Sequence, residues 1–150
     1  MSFRSFLLSV IVLVSLGVAA CDEAIPSPSG SPGPPPQAFV DVPWRAISVA
    51  GQLPVPGREP TIRFGDTSVL GSGGCNGLSG RYRYDPRTGT IAFEDLAMTA
   101  MGCLEPRVNQ VESAYANVLT RADRIALDAD GRLHVSSPDG EVVFAKAVEG

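Results

Sequence analysis

Seven residues, Gly71-Ser72-Gly73-Gly74-Cys75-Asn76-Gly77, restrict the fold of this chain more than any other stretch. Four of them are glycine, a composition that opposes both a helix and a continuous strand. It lets the backbone reach positive φ and approach a second segment closely. Asn76-Gly77 adds the strongest short-range signal for a tight turn. The stretch is therefore expected to be a sharp turn that presents Cys75 to a partner. Cys103, in Thr99-Ala100-Met101-Gly102-Cys103, is the partner available, because the third cysteine, Cys21, is claimed by the N-terminus.

Arg4 is the sole charge ahead of the nearly apolar run Ser5 to Ala20, which closes on the small residues Ala19-Ala20. A basic start, an apolar core and small residues at the end make a secretory signal. A membrane-spanning helix is the competing reading, but the run falls short of the about 20 residues that cross a bilayer comfortably. Val18-Ala19-Ala20-Cys21 resembles a bacterial lipobox, which implies that Cys21 becomes a lipidated N-terminus after residues 1–20 are removed. Two or more acyl chains hold a protein stably at a membrane where one does not. Chance placement of a cysteine behind an ordinary signal is the alternative.

Residues 21–38 form the lipidated cysteine and a linker rich in Pro, Ser and Gly, too poor in apolar side chains to order itself. Its prolines favour polyproline II, so about sixteen residues at ~3.1 Å each reach about 50 Å. A spacer between membrane and domain is the reading taken. Without Arg4 the chain keeps 16 acidic residues and a net charge of −5, which argues against nucleic acid and anionic membrane surface as partners.

Residues 39–150 are then one domain. Pro43 to Val49 reads as a first strand carrying the lone Trp44, and Thr61-Ile62-Arg63-Phe64 as a second. Asp66 to Ser68 turns the chain into Val69-Leu70. Arg81-Tyr82-Arg83-Tyr84 alternates strictly, giving one wet and one buried face. Asp85-Pro86-Arg87-Thr88-Gly89 forms a hairpin loop before the strand Thr90 to Phe93. Pro106 suits the first position of a helix. Val108, Val111, Tyr115, Val118, Leu119 and Ala122 then recur at helical spacing, with Glu112, Asn117 and Arg121 assigned off the stripe. Arg124 to Leu127, Arg132 to Val135 and Glu141 to Phe144 follow as strands separated by Asp-Gly turns. Many short strands with one helix make an α+β, mainly β domain.

These pieces, in this order, resemble the META domain, the family of the bacterial heat-shock protein HslJ. Trp44 stands in the opening strand, and Thr61-Ile62-Arg63-Phe64 leads to Gly74-Cys75-Asn76. Gly80 and Tyr82 follow, then Leu96-Ala97-Met98-Thr99-Ala100-Met101-Gly102-Cys103. A helix through Glu112, Tyr115 and Leu119 comes next, and closing strands around Leu133 and Phe144 end the likeness, which runs from Val42 to Phe144. Gly102 departs from the alanine of many relatives. The resemblance implies a strongly curved, half-barrel-like antiparallel sheet packed on one helix, commonly exported and often lipidated. It implies no established enzymatic activity, and it carries associations with heat shock and envelope stress.

In an oxidising compartment Cys75 and Cys103 have one possible pairing once Cys21 is acylated. A disulfide there stabilises by roughly 3.5 kcal/mol on the chain-entropy model. Free thiols or a reactive pair remain as alternatives, although a metal needs about four ligands and a redox pair favours Cys-x-x-Cys. His134, the single histidine, alternates outward between Leu133 and Val135 and so is a poor base for a cysteine nucleophile. Neither Ser72 nor Ser79 has nucleophile-elbow spacing. Asp128-Ala129-Asp130-Gly131 resembles part of a calcium loop but lacks its later oxygen ligands, so a hairpin turn is expected. Met98 and Met101 read as packing.

The chain is thus expected to be a membrane-anchored extracytoplasmic lipoprotein, held through lipidated Cys21, with a disulfide at Cys75 and Cys103. No catalytic, cofactor-binding or metal-ligating residue is assigned, and no cofactor. Its expected role is a monomeric, non-catalytic envelope module for stress or binding, with an unknown envelope protein or small ligand as partner. An inhibitor of lysozyme or another wall hydrolase is the alternative, and would act through the Gly51–Gly57 or Asp85–Gly89 loop. An uncharacterised enzyme is the second alternative, and needs a cleft of convergent titratable groups.

Overall fold

The computed structural model describes residues 37–148. The signal segment 1–20, Cys21 and nearly all of the linker lie outside the described residues. Eight strands and one helix follow in order: β1 (Pro43–Val49), β2 (Thr61–Phe64), β3 (Ser68–Ser72), β4 (Gly77–Asp85), β5 (Thr90–Met98), α1 (Pro106–Thr120), β6 (Arg124–Leu127), β7 (Leu133–Ser137) and β8 (Gly140–Lys146). All neighbours pair antiparallel, in sequence order around the sheet.

The sheet closes, which corrects the half-barrel expectation. β1 pairs with β8 from Trp44↔Lys146 to Val49↔Val142, with a register shift between Ala46 and Ser48. Both strands bury alternate side chains on one face (Trp44, Ala46 and Val49 against Val142 and Phe144), so pairing them joins two halves of one core. Closure also removes the two open edges that a half-barrel would leave as templates for another chain. The narrowest seam is β5–β6, where Thr90↔Arg124 is the one paired position. Backbone bonds from Ile91 N to Asp123 O (3.2 Å) and from Ile125 N to Gly89 O (2.9 Å) complete it. Beyond that point β5 leaves β6, and α1 packs against β1, β5, β7 and β8.

β4 and β5 run to nine residues each, longer than their sequences suggest. Gly77-Leu78-Ser79-Gly80 looks like loop but is strand, because β3 pairs on one side and β5 on the other. Tertiary pairing overrides the weak strand preference of glycine here. Gly80 has a specific reason to lack a side chain. A Cβ there would lie 2.8 Å from Leu96 Cδ2 and 3.1 Å from Glu94 O, at a register shift where Asp95 takes φ 51°.

The core fills the barrel and the underside of the helix. Trp44, Ile62, Phe64, Val69, Leu133, Val142 and Phe144 are fully buried, as are Tyr115, Val118 and Leu119 of α1. Buried polar tips find partners, as they must in a low-dielectric interior. Trp44 Nε1 donates to Phe39 O (2.9 Å) and Tyr115 Oη donates to Thr61 O (3.1 Å). Phe39 stacks edge-on against Phe64 and Tyr84 with centroids 5.0 and 5.1 Å away, so the chain entering β1 contributes to the core.

Candidate functional site

The β3–β4 turn, the segment 99–105 and the helix α1 meet at one place. Cys75 and Cys103 are joined there by a disulfide that spans 28 positions, with Cα atoms 6.2 Å apart. Gly73 and Gly74 are obligatory in this turn for steric reasons. A Cβ on Gly73 would fall 2.4 Å from Glu112 Oε1, and Gly74 adopts φ +109° with Arg58 O 2.4 Å from a would-be Cβ. Such close approach is what the glycine cluster permits.

Glu112 is the centre of the arrangement. Its polarity places it off the apolar stripe of the helix, yet it is only 8 % exposed and faces the turn, which corrects that expectation. Its Oε1 accepts from Asn76 N (2.7 Å) and Cys75 N (3.4 Å), and its Oε2 accepts from Asn76 Nδ2 (2.6 Å). Asn76 Oδ1 in turn accepts from Met101 N (2.6 Å) and Thr99 Oγ1 (3.1 Å). Gly77 N donates to Thr99 Oγ1 (3.0 Å), and Gly73 N donates to Asn76 O (2.8 Å). Helical arithmetic carried the missed signal: residue 112 lies four after Val108 and three before Tyr115, inside the buried stripe.

The cluster has little capacity left for chemistry. One Glu112 oxygen and the two sulfurs lie within 4.8 Å of one another, a spacing that could suit a metal. The sulfurs, however, are bonded to each other, and the carboxyl oxygens accept from the turn. Outside the disulfide opens a groove of about 440 Å³, lined by Arg58, Met101, Leu104, Glu105 and Val108 with both cysteines. Met101 and Leu104 are exposed on its rim.

His134 lies apart from this site, on the outer side of β7, and is more enclosed than its outward alternation suggests. Leu133 and Val135 are buried beside it, as alternation requires. Its Nε2 lies 3.1 Å from Asp128 Oδ2 and its Nδ1 3.2 Å from Glu141 Oε1. Burial alone would lower its pKa, but hydrogen bonds to Asp128 and Glu141 outweigh it and raise the value. Asp128 is lowered, first by the N–H of Arg132 and then by His134. The same Asp128 accepts from Asp130 N and Arg132 N (both 2.9 Å), which makes 128–131 a hairpin turn with Gly131 at φ +75°.

These shifts give a signed expectation. The His134 contribution is full below its unfolded pKa of about 6.5 and fades as pH rises through the folded value; that of Asp128 is full above about 3.9 and fades as pH falls through its folded value. The melting temperature should therefore peak between these limits and decline by roughly 2–5 °C toward pH 9, a small effect because the groups are solvent-screened. In His134→Gln that alkaline decline should flatten; thermal melts across pH check it.

Residues 37–149 match the META domain family. The heat shock protein HslJ of Escherichia coli (strain K12) is 28 % identical over 71 residues, 47 % of this chain and 49 % of that protein. The chain thus spans about half the length of that relative. A protein solved by NMR superposes with TM-score 0.59 at 25 % identity, covering 70 % of this chain and 88 % of the other. An NMR structure from Burkholderia xenovorans shares the fold with TM-score 0.58 at 23 % identity, covering 83 % of this chain and 100 % of that one. With a family match that spans the whole described region, the chain belongs to the META domain family.

Proposed function

We propose that this protein is an extracytoplasmic lipoprotein, anchored through Cys21, whose META domain serves the cell envelope as a non-catalytic stress or binding module. The observation that carries the reading is the pairing of Cys75 with Cys103 in a chain whose third cysteine closes a lipobox-like sequence. Disulfides persist in exported proteins and are rare in the cytosol. The Pro-rich stretch ahead of residue 37 supplies a spacer of the right composition. The heat-shock name of the E. coli relative supports the stress association.

The non-catalytic part is supported by how the polar groups of the site are used. Glu112, Asn76 and Thr99 satisfy one another and the turn backbone, so their hydrogen-bonding capacity goes to architecture. The inhibitor reading has the exposed Leu53, on the Gly51–Gly57 loop, in its favour. Labelling with a radioactive fatty acid tests the anchor. The full chain should incorporate label and sediment with membranes, and Cys21→Ser should lose both; an unlabelled, soluble wild type would refute it.

A further inference from the structure

We propose that the Cys75–Cys103 disulfide is a thiol-exchange site open to a dithiol reductant, and that its reduction frees residues 102–104 while the barrel stays closed. The two cysteines are held very differently. Cys75 sits on a turn that remains pinned without the sulfur bond, through Asn76 N and Nδ2 to Glu112 and Gly73 N to Asn76 O. Cys103 sits in a segment without regular structure between β5 and α1. Past Met101, the tie to that segment other than the disulfide is Asn109 Nδ2 donating to Cys103 O (3.0 Å). Among the described residues, then, the disulfide and this one hydrogen bond are what tie 102–104 to the rest of the domain, Glu105 O being held by Val108 N and Asn109 N of the helix, whereas the turn has many bonds.

Access and charge favour attack from the groove. Both cysteines line the groove of about 440 Å³ and are half-buried, so a small thiol can reach the bond without unfolding. Arg58, exposed on the groove wall, makes no ion pair among the described residues and offers a positive charge to an incoming or departing thiolate. Exchange rates follow access and the stability of the leaving thiolate. Leu104, fully exposed, moves with the freed segment, while Met101 stays at the turn through its N–H to Asn76 Oδ1.

The chemistry balances in two displacements. A reductant thiolate forms a bond to Cys75 Sγ while the Cys75–Cys103 bond breaks. Its electron pair departs on Cys103 Sγ, which takes a proton from water. Cys103 is the better leaving group because its segment can carry it away, which slows the reverse attack. The second thiolate of the reductant then attacks the reductant's own sulfur in the mixed disulfide and releases Cys75, which is also protonated. The protein gains two electrons and two protons, and the dithiol is oxidised to its disulfide. The inference does not depend on lipidation of Cys21.

The purified full chain, treated with dithiothreitol in native buffer and then iodoacetamide, tests it. Both Cys75 and Cys103 should be alkylated without denaturant, with an unchanged far-ultraviolet circular dichroism spectrum. Chymotrypsin should cut after Leu104 faster in the reduced protein than in the oxidised one, while deuterium uptake stays unchanged in β3 and β4; equal cleavage of the two forms would overturn the freeing of this segment. Alkylation that requires denaturant, or loss of protection throughout the strands, would overturn the proposal. Glutathione, quenched with iodoacetamide, fixes the direction: the adduct should map to Cys75, and an adduct on Cys103 would overturn the assigned order of attack.

Discussion

Glu112→Ala is expected to lower the unfolding free energy by about 3–5 kcal/mol, because each buried donor left without a partner costs about 1–3 kcal/mol. Three donors lose their acceptor together: Asn76 N, Asn76 Nδ2 and Cys75 N. The truncation also empties the space beside Gly73 that the Glu112 side chain occupies. Glu112→Gln should cost less than Ala but more than a surface change, since its amide keeps one acceptor and turns a donor toward Asn76 Nδ2. Urea unfolding followed by circular dichroism measures both. For a domain of this size a kcal/mol corresponds to roughly 4–8 °C, so the alanine variant should melt more than about 12 °C below wild type.

The second large effect is loss of the disulfide. Cys75→Ser combined with Cys103→Ser should lower stability by roughly 3.5 kcal/mol, the loop-closure value for the separation of 28 positions. Since small domains hold about 5–15 kcal/mol in all, the double variant should remain folded at 25 °C. Its spectrum should match wild type, while chymotryptic cleavage after Leu104 quickens. The two effects differ in place: removing Glu112 loosens the turn and the helix face, whereas removing the sulfurs loosens the segment that leads into the helix.

The strands were legible where side chains alternate. Arg81-Tyr82-Arg83-Tyr84 reads as a half-wet strand, and the structure buries Tyr82 while pairing Arg81 with Asp95 and Arg83 with Glu94. β1, β2 and β6 have the bounds that pattern suggests, since each is set by local alternation and a turn. Closure of the barrel was not legible, because pairing of β1 with β8 joins segments about a hundred residues apart and leaves no local mark. The strand character of Gly77–Gly80 was hidden for the same reason, being imposed by neighbours on both sides. Glycine content and the position of Cys75 identified the turn. What they could not reveal is that a helical carboxyl side chain fastens it, because a lone glutamate on a helix is normally a solvated one.

The central claim is that the Gly-Cys-Asn turn is an architectural clasp fastened by Glu112. A double-mutant cycle of Asn76→Ala and Glu112→Ala, measured by urea denaturation, tests it most directly. A shared network predicts a coupling of about 2 kcal/mol, within the range of about 0.5–3 found for residues in direct contact. Effects that add to within about 0.3–0.5 kcal/mol would contradict it.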